Sequence, residues 1–350
     1  KEKYACQVVF RCRVTPFGSL VTGLGIKTSD IDCHVSLPPG MQPSKQCVIR
    51  ARNILKQNHR LFTNLFAITA AKVPIVKFTH VPTGCECDVS FSGPTSIRNT
   101  NSHLVNYLMR SDSRIRDITL FLKFWCETHG IISKGRLPSY ALSLMTVFYF
   151  QQRKMLPSIM EMQKGAEPVF VQGYDHGYNT IPIHSANDES VYDLLGGFFR
   201  YYRDFDFSNY IISTFVGRPV SKKEFSATDT IPAEFVIYKE RLKYNIMNRL
   251  HYKVVLIVQD AFEHSRNVAE RTDEVCESLI SHIKRAAHLF DEVPSRNVLR
   301  AILKKVEEFV HVNNKSYDKT RNSYLCNKRA KSFFAASADI ESRVSEGIND

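Results

Sequence analysis

The hydrophobic period of this chain changes near residue 100, and that change divides it into two differently built parts. Before it, residues 7–14 and 31–37 alternate apolar with polar residues, and residues 71–79 and 88–91 are short β-rich runs bounded by Pro and Gly, as strands are. Between them, residues 45–66 carry Ile54, Leu55, Leu61, Phe62 and Leu65 at helical spacing. After it, Ile115, Ile118, Leu122 and Trp125 make one face of a helix, and residues 140–150 are apolar nearly all round, as in a buried helix. Residues 192–202 are densely aromatic, and residues 277–290 and 298–310 are amphipathic. The expectation is an α+β chain: a mixed-sheet domain over residues 1–100, a mainly helical domain over residues 101–350, and a cleft between them. A chain of 350 residues exceeds what one core usually organises.

Hydrophobic residues at 43% exclude disorder for most of the chain. The longest apolar run, residues 141–150, is about half a membrane span, so no membrane partner is expected. The first ten residues lack the apolar core of a signal peptide, and a first residue of Lys is not expected to be a native start. Nine cysteines, with no Cys-x-x-Cys pair and no His at zinc-finger spacing, read as reduced thiols of a cytosolic or nuclear protein. The net charge of +12 favours a polyanionic partner such as nucleic acid or a nucleotide. Residues 296–331 add ten Lys or Arg against three acids, which fits a solvated helix face as well as an RNA-binding surface.

The chemistry concentrates in Phe17-Gly18-Ser19 followed by Asp30-Ile31-Asp32. In a strand, residues i and i+2 point to one side, so Asp30 and Asp32 present two carboxylates together while Ile31 faces the core. Repulsion between them is relieved most cheaply by a divalent cation, and hard oxygen ligands suit Mg²⁺ or Mn²⁺. Gly18-Ser19 can start a helix whose free N–H groups hold phosphate oxygens. Asp88, in the short strand Cys87-Asp88-Val89-Ser90-Phe91, adds a third carboxylate for a two-metal phosphoryl or nucleotidyl transfer site. Alone, an Asp-x-Asp is more often a solvated turn.

Taken together, Gly-Ser, the apolar–Asp–apolar–Asp strand and the later strand Asp resemble the nucleotidyltransferase superfamily of DNA polymerase beta. Leu122-Lys123-Phe124-Trp125, then Leu137-Pro138-Ser139-Tyr140-Ala141-Leu142, resemble the start of the helical domain of terminal uridylyltransferases and of poly(A) polymerases of the Cid1 and GLD-2 type. The segment from Leu194 to Tyr202 resembles that family's associated-domain motif, and Gln259-Asp260-Ala261-Phe262-Glu263 with Asn267-Val268 its nucleotide-recognition segment. The resemblance covers roughly residues 16–290 in several ordered motifs.

It implies a polymerase-beta-like nucleotidyltransferase domain beside a helical poly(A)-polymerase-associated domain, in a cytoplasmic enzyme. By resemblance, Asp30, Asp32 and Asp88 hold two Mg²⁺ ions, and Asp88 helps activate the RNA 3′ hydroxyl. Gly18 and Ser19 grip the triphosphate, Lys123 neutralises it, Ser139 adds a hydrogen bond, Tyr140 stacks on the base and Asn99 contacts the ribose. The bland alternatives are a solvated charge at Lys123, an N-cap at Ser139 and a core ring at Tyr140. Asp260, Glu263 and Arg266 fall in the base-reading segment, where the family places His for uracil or Asn for adenine. Arg266 is a donor only, suited to a carbonyl such as uracil O4 or to RNA. Glu127 stands where the family often carries a second Lys, so the missing charge is expected from Lys134 or Arg136. The implied reaction adds UMP from UTP to RNA 3′ ends, with a protein partner as a possible source of RNA. The alternatives are ATP-dependent poly(A) synthesis and an inert RNA-binding scaffold.

Overall fold

The computed structural model describes residues 13–26, 29–37, 44–71, 73–92, 97–132, 136–171, 173–180, 182–223, 254–262, 267–295, 297–299 and 301–302. Its first part is a five-stranded sheet. In chain order come β1 (Arg13–Phe17), the four-residue helix α1 (Ser19–Thr22), β2 (Ile31–Ser36), α2 (Lys45–Lys56), β3 (Phe62–Ile68), β4 (Ile75–His80) and β5 (Cys85–Ser92). The strand order is β1-β2-β5-β4-β3, with β2 and β5 parallel and every other pair antiparallel, so the sheet is mixed as expected. The Ser44 hydroxyl caps α2 by accepting from the Cys47 N–H at 3.3 Å. The helix then lays Cys47, Val48, Ala51 and Leu55 on one face of the sheet, against Val14, Val35, Val76, Phe78, Val89 and Phe91. Burying each large apolar side chain there contributes about 1.5–3 kcal/mol.

The helical reading of residues 45–66 holds only to Lys56; residues 62–68 are β3. The sheet is irregular between Thr63 and Phe66, where Asn64 takes a φ of 52°. The extra residue breaks the period of two, so Leu61, Phe62 and Leu65 mimic helical spacing in a strand. Phe62 is nonetheless a core residue, edge-on to Phe78 at 5.2 Å. Of the expected strand at residues 7–14, residues 7–12 lie outside the described residues.

The second part is helical where the period of 3.6 predicts it: α3 (Ile97–Ser111), α4 (Ser113–Thr128), α5 (Ser139–Gln152), the short α6 (Ile159–Gln163), α7 (Val191–Asp204) and α8 (Asp273–Glu292). Helix α5 is buried from Ala141 to Gln151, and the expected face of α4 buries Ile115, Ile118, Leu122 and Trp125. These join Leu104, Phe148, Phe198, Phe199 and Phe290 in one core that also takes in Leu24. A hairpin of β6 (Val254–Gln259) and β7 (Asn267–Thr272) lies in this helical part, and the helix-centred reading had no place for it. Its apolar, β-branched run Val254-Val255-Leu256-Ile257-Val258 is the signal for it. Among the described residues no helix is long and apolar enough to cross a membrane.

Candidate active site

Sheet register gathers the carboxylates. Phe17 on β1 pairs with Asp32 on β2, Asp32 with Asp88 on β5, and Asp88 with Lys77 on β4. Registered neighbours share a face, and this one lies opposite the core under α2. Asp30, two residues before Asp32, joins the same side. Lys77 Nζ stands among these acids, 3.1 Å from Asp88 Oδ1, 3.5 Å from Asp30 Oδ2 and 3.5 Å from Glu86 Oε2.

Electrostatics follow from this crowding. Burial first, then Asp30 and Asp88, push the Asp32 carboxyl up to about 6, against the pull of Arg98 and Lys77. Burial raises Asp88 as well, although Lys77 draws it down. Burial alone would lower Lys77, yet Asp88, Asp30 and Glu86 together outweigh it and strengthen its hold on the proton. Half-buried carboxylates crowded in this way are relieved by a proton or by a cation.

Gly18 is required by contact as well as by conformation. Its φ is 68°, and a Cβ there would stand 2.3 Å from Asp32 Oδ2. Its N–H donates to Ser102 Oγ on α3 at 2.9 Å. Its carbonyl accepts from the N–H groups of Val21 and Thr22 at 3.1 and 3.0 Å, so Ser19 and Leu20 keep the first-turn N–H groups that have no helical acceptor.

The remaining expected residues fall in two places. Lys123 is a buried cation and not a solvated one: its Nζ donates to the Leu24 carbonyl at 3.1 Å and to Ser29 Oγ at 3.3 Å, in the loop between α1 and β2. Burial lowers its pKa, while Glu127, Asp30 and Asp32 oppose that shift. Asp260, at the end of β6, accepts from Asn101 Nδ2 at 2.9 Å and from the Tyr140 hydroxyl at 3.5 Å. Ser139 is the first residue of α5, where Pro138 and not Ser139 is the cap. Asn99 on α3 has a buried Oδ1 with no hydrogen-bond partner among the described residues. Arg136 donates to the Gly130 carbonyl at 3.0 Å. Glu263, Arg266 and Lys134 lie outside the described residues.

Sequence reasoning missed Lys77, Asn101 and Ser102. Lys77 carried a signal: it is the charged position of a strand that alternates Val76 and Phe78 inward, joined by the turn Val81-Pro82-Thr83-Gly84 to the strand of Asp88. Among the described residues no three carboxylate, imidazole or thiolate groups stand placed to hold a metal ion between them. The donor set, three hard carboxylates on one face, with the proton affinities of Asp32 and Asp88 raised, fits Mg²⁺ or Mn²⁺.

Comparison with known proteins agrees with this architecture. Residues 2–109 match the family described as poly(A) RNA polymerase, mitochondrial-like, central palm domain, and residues 190–266 match the Cid1 family poly A polymerase domain. The chain belongs to the family of terminal uridylyltransferases and poly(A) RNA polymerases of the Cid1 and GLD2 type. It is 29% identical to human terminal uridylyltransferase 7 over 278 residues, 73% of this chain and 18% of that protein. It is 34% identical to the Xenopus laevis poly(A) RNA polymerase GLD2-A over 236 residues, 62% of this chain and 45% of that one. The chain thus spans less than half the length of either relative. The fold is that of mtPAP, crystallised in complex with UTP, at a TM-score of 0.71 and 21% identity, covering 86% of this chain and 66% of that one. It is also that of the Cid1 poly(U) polymerase in its MgGTP-bound form, at 0.67 and 22%, covering 85% and 88%.

Proposed function

We propose that this protein is a template-independent RNA nucleotidyltransferase that adds UMP from UTP to RNA 3′ ends, with a catalytic part up to about residue 100 and a helical part beyond it. The observation that carries the reading is the register Asp32–Asp88 between parallel strands, with Asp30 on the same face and Gly18 pressed against Asp32. Asp30, Asp32 and Asp88 would hold Mg²⁺ or Mn²⁺. Bound there, the ions would supply charge neutralisation and a lowered pKa at the RNA 3′ hydroxyl.

The protein's own groups do the rest. Asp88, its proton affinity raised by burial, takes up the proton of the 3′ hydroxyl. The N–H groups of Ser19 and Leu20 bind triphosphate oxygens, and Lys123 balances their charge from the loop it ties down. Tyr140, steered by Asp260, offers a ring to the base, and the Asn99 Oδ1 a hydrogen-bond acceptor to the ribose. The relatives named for uridylyl transfer favour UTP, and a cytoplasmic role is part of the same proposal. ATP is the second reading, because GLD2-A is the more identical relative over its matched length.

The test is extension of a short labelled RNA with Mg²⁺ and each of UTP, ATP, CTP and GTP, beside Asp30→Ala. Extension chiefly with UTP and absent in the variant is the expected result. Extension chiefly with ATP moves the protein to poly(A) synthesis, and none with any nucleotide removes the enzymatic reading.

A further inference from the structure

Resting on the metal-binding reading above, we propose that Lys77 is the resident counter-cation of the carboxylate cluster, and that a divalent ion takes its place by transferring the ammonium from Asp30 and Asp88 to Glu86. The geometry is that of a cation held by the oxygens a metal needs. Lys77 Nζ lies 3.1 Å from Asp88 and 3.5 Å from Asp30, two of the three carboxylates assigned to the metal. Like charges crowded together are costly without a partner, and one ammonium between Asp30 and Asp88 offsets part of that cost. A divalent ion arriving on Asp30 and Asp88 competes for the same lone pairs, and its charge repels the ammonium at short range.

Glu86 supplies the place to go. It stands two residues before Asp88 on β5, on the same face, and Lys77 Nζ is already 3.5 Å from its Oε2. Its side chain is 62% exposed, against 21% for Asp88 and 49% for Asp30, so the exchange moves the ammonium outward toward water. No backbone change is needed, since the side chain only trades among contacts it already makes. Asp32 keeps the nearby charge of Arg98, whose guanidinium sits 5.6 Å over the Phe17 ring, through the exchange. The metal-free protein therefore keeps its site neutralised, and metal affinity reflects a swap of cations instead of occupation of a bare carboxylate cluster.

The experiment is Mn²⁺ titration of the full chain at one fixed pH, read by the paramagnetic resonance signal of free Mn²⁺, for wild type, Lys77→Met, Glu86→Gln and the double variant. Lys77→Met is expected to bind Mn²⁺ about tenfold more tightly, the equivalent of one lost charge-assisted contact to the competing ammonium. Glu86→Gln is expected to weaken binding about threefold, the scale of an exposed ion pair. In the Lys77→Met background Glu86→Gln should change nothing, because its effect runs through the ammonium. Wild-type affinity or weaker in a folded Lys77→Met protein overturns the inference and leaves the metal site standing. Effects that simply add in the double variant overturn the transfer to Glu86. Binding by Lys77→Met where wild type binds none supports it, whereas binding by neither removes the metal site and the inference together. Should Lys77→Met fail to fold, Lys77→Gln takes its place in the same cycle, read by the same outcomes.

Discussion

Asp32 is the side chain on which the metal-free site is most strained electrostatically. A carboxyl whose folded pKa, here about 6, lies above the ordinary 3.8 holds its proton more tightly in the folded chain. It favours the fold at low pH, and that contribution is lost as pH rises through the interval from 3.8 to about 6. Asp32→Asn, which cannot ionise, is therefore expected to be more stable than wild type without metal at pH 8, by on the order of 2 kcal/mol. Melting curves from pH 3 to 8 check this: the two proteins should coincide below about pH 4, diverge up to about pH 6 and stay apart above it. A constant difference at every pH would show that Asp32 pays no ionisation penalty. Gly18→Ala acts on the same carboxylate by contact, since the new methyl would need the space of Asp32 Oδ2 at a φ of 68°. We expect about 1–3 kcal/mol of lost stability in urea unfolding and, with Asp32 displaced, about a hundredfold slower nucleotide transfer. The carboxylates were legible in the sequence because their spacing of two is a strand's own period. Lys77 was legible only in part: the turn Val81-Pro82-Thr83-Gly84 places β4 beside β5, but the register that sets Lys77 opposite Asp88 does not follow from spacing.

Helix α7 tests how closely elements pack. It contains Gly196 and Gly197 in mid-helix, where propensity alone argues for a break. A Cβ at Gly197 would stand 2.3 Å from the Tyr149 hydroxyl of α5, and one at Gly196 would stand 2.9 Å from Cδ1 of Phe290 on α8. The pair lets three helices approach where no side chain fits. The Tyr149 hydroxyl is itself buried with no hydrogen-bond partner among the described residues. Gly197→Ala is expected to cost about 1–3 kcal/mol by overpacking, and Tyr149→Phe to cost nothing or add up to about 1 kcal/mol. In the double variant the methyl occupies the space of the missing oxygen, so denaturant unfolding should recover most of the loss; equal losses in both backgrounds would place the strain elsewhere. The helix itself was read from its aromatic density, whereas the reason for its glycines appears only once α5 and α8 are in place. The opposite happened at residues 62–68, where a single irregular residue disguised a strand as a helix.

For the molecule as a whole, the division into two cores was written in the period of the sequence, but the contacts that join the two parts were not. The loop from Gly18 to Ser29 is tied to the helical part by polar contacts from Ser102, Asn106, Arg116 and Lys123, so the two parts meet around the proposed triphosphate site. Four of those contacts end on backbone groups, which sequence patterns do not reveal. On the proposed function, the net charge of +12 bears on RNA and not on folding. If phosphates meet Lys and Arg on this surface, binding releases counterions, and affinity for a short single-stranded RNA should fall roughly tenfold or more between 50 and 200 mM salt. Fluorescence anisotropy across that range gives the slope, and the slope gives the number of phosphates neutralised. Changing Lys328, Arg329 and Lys331 to Gln then locates them. A shallower slope puts RNA on the end of the basic segment, and an unchanged slope puts it away from Lys328, Arg329 and Lys331. A flat salt response in wild type would mean that base stacking, not charge, holds the RNA.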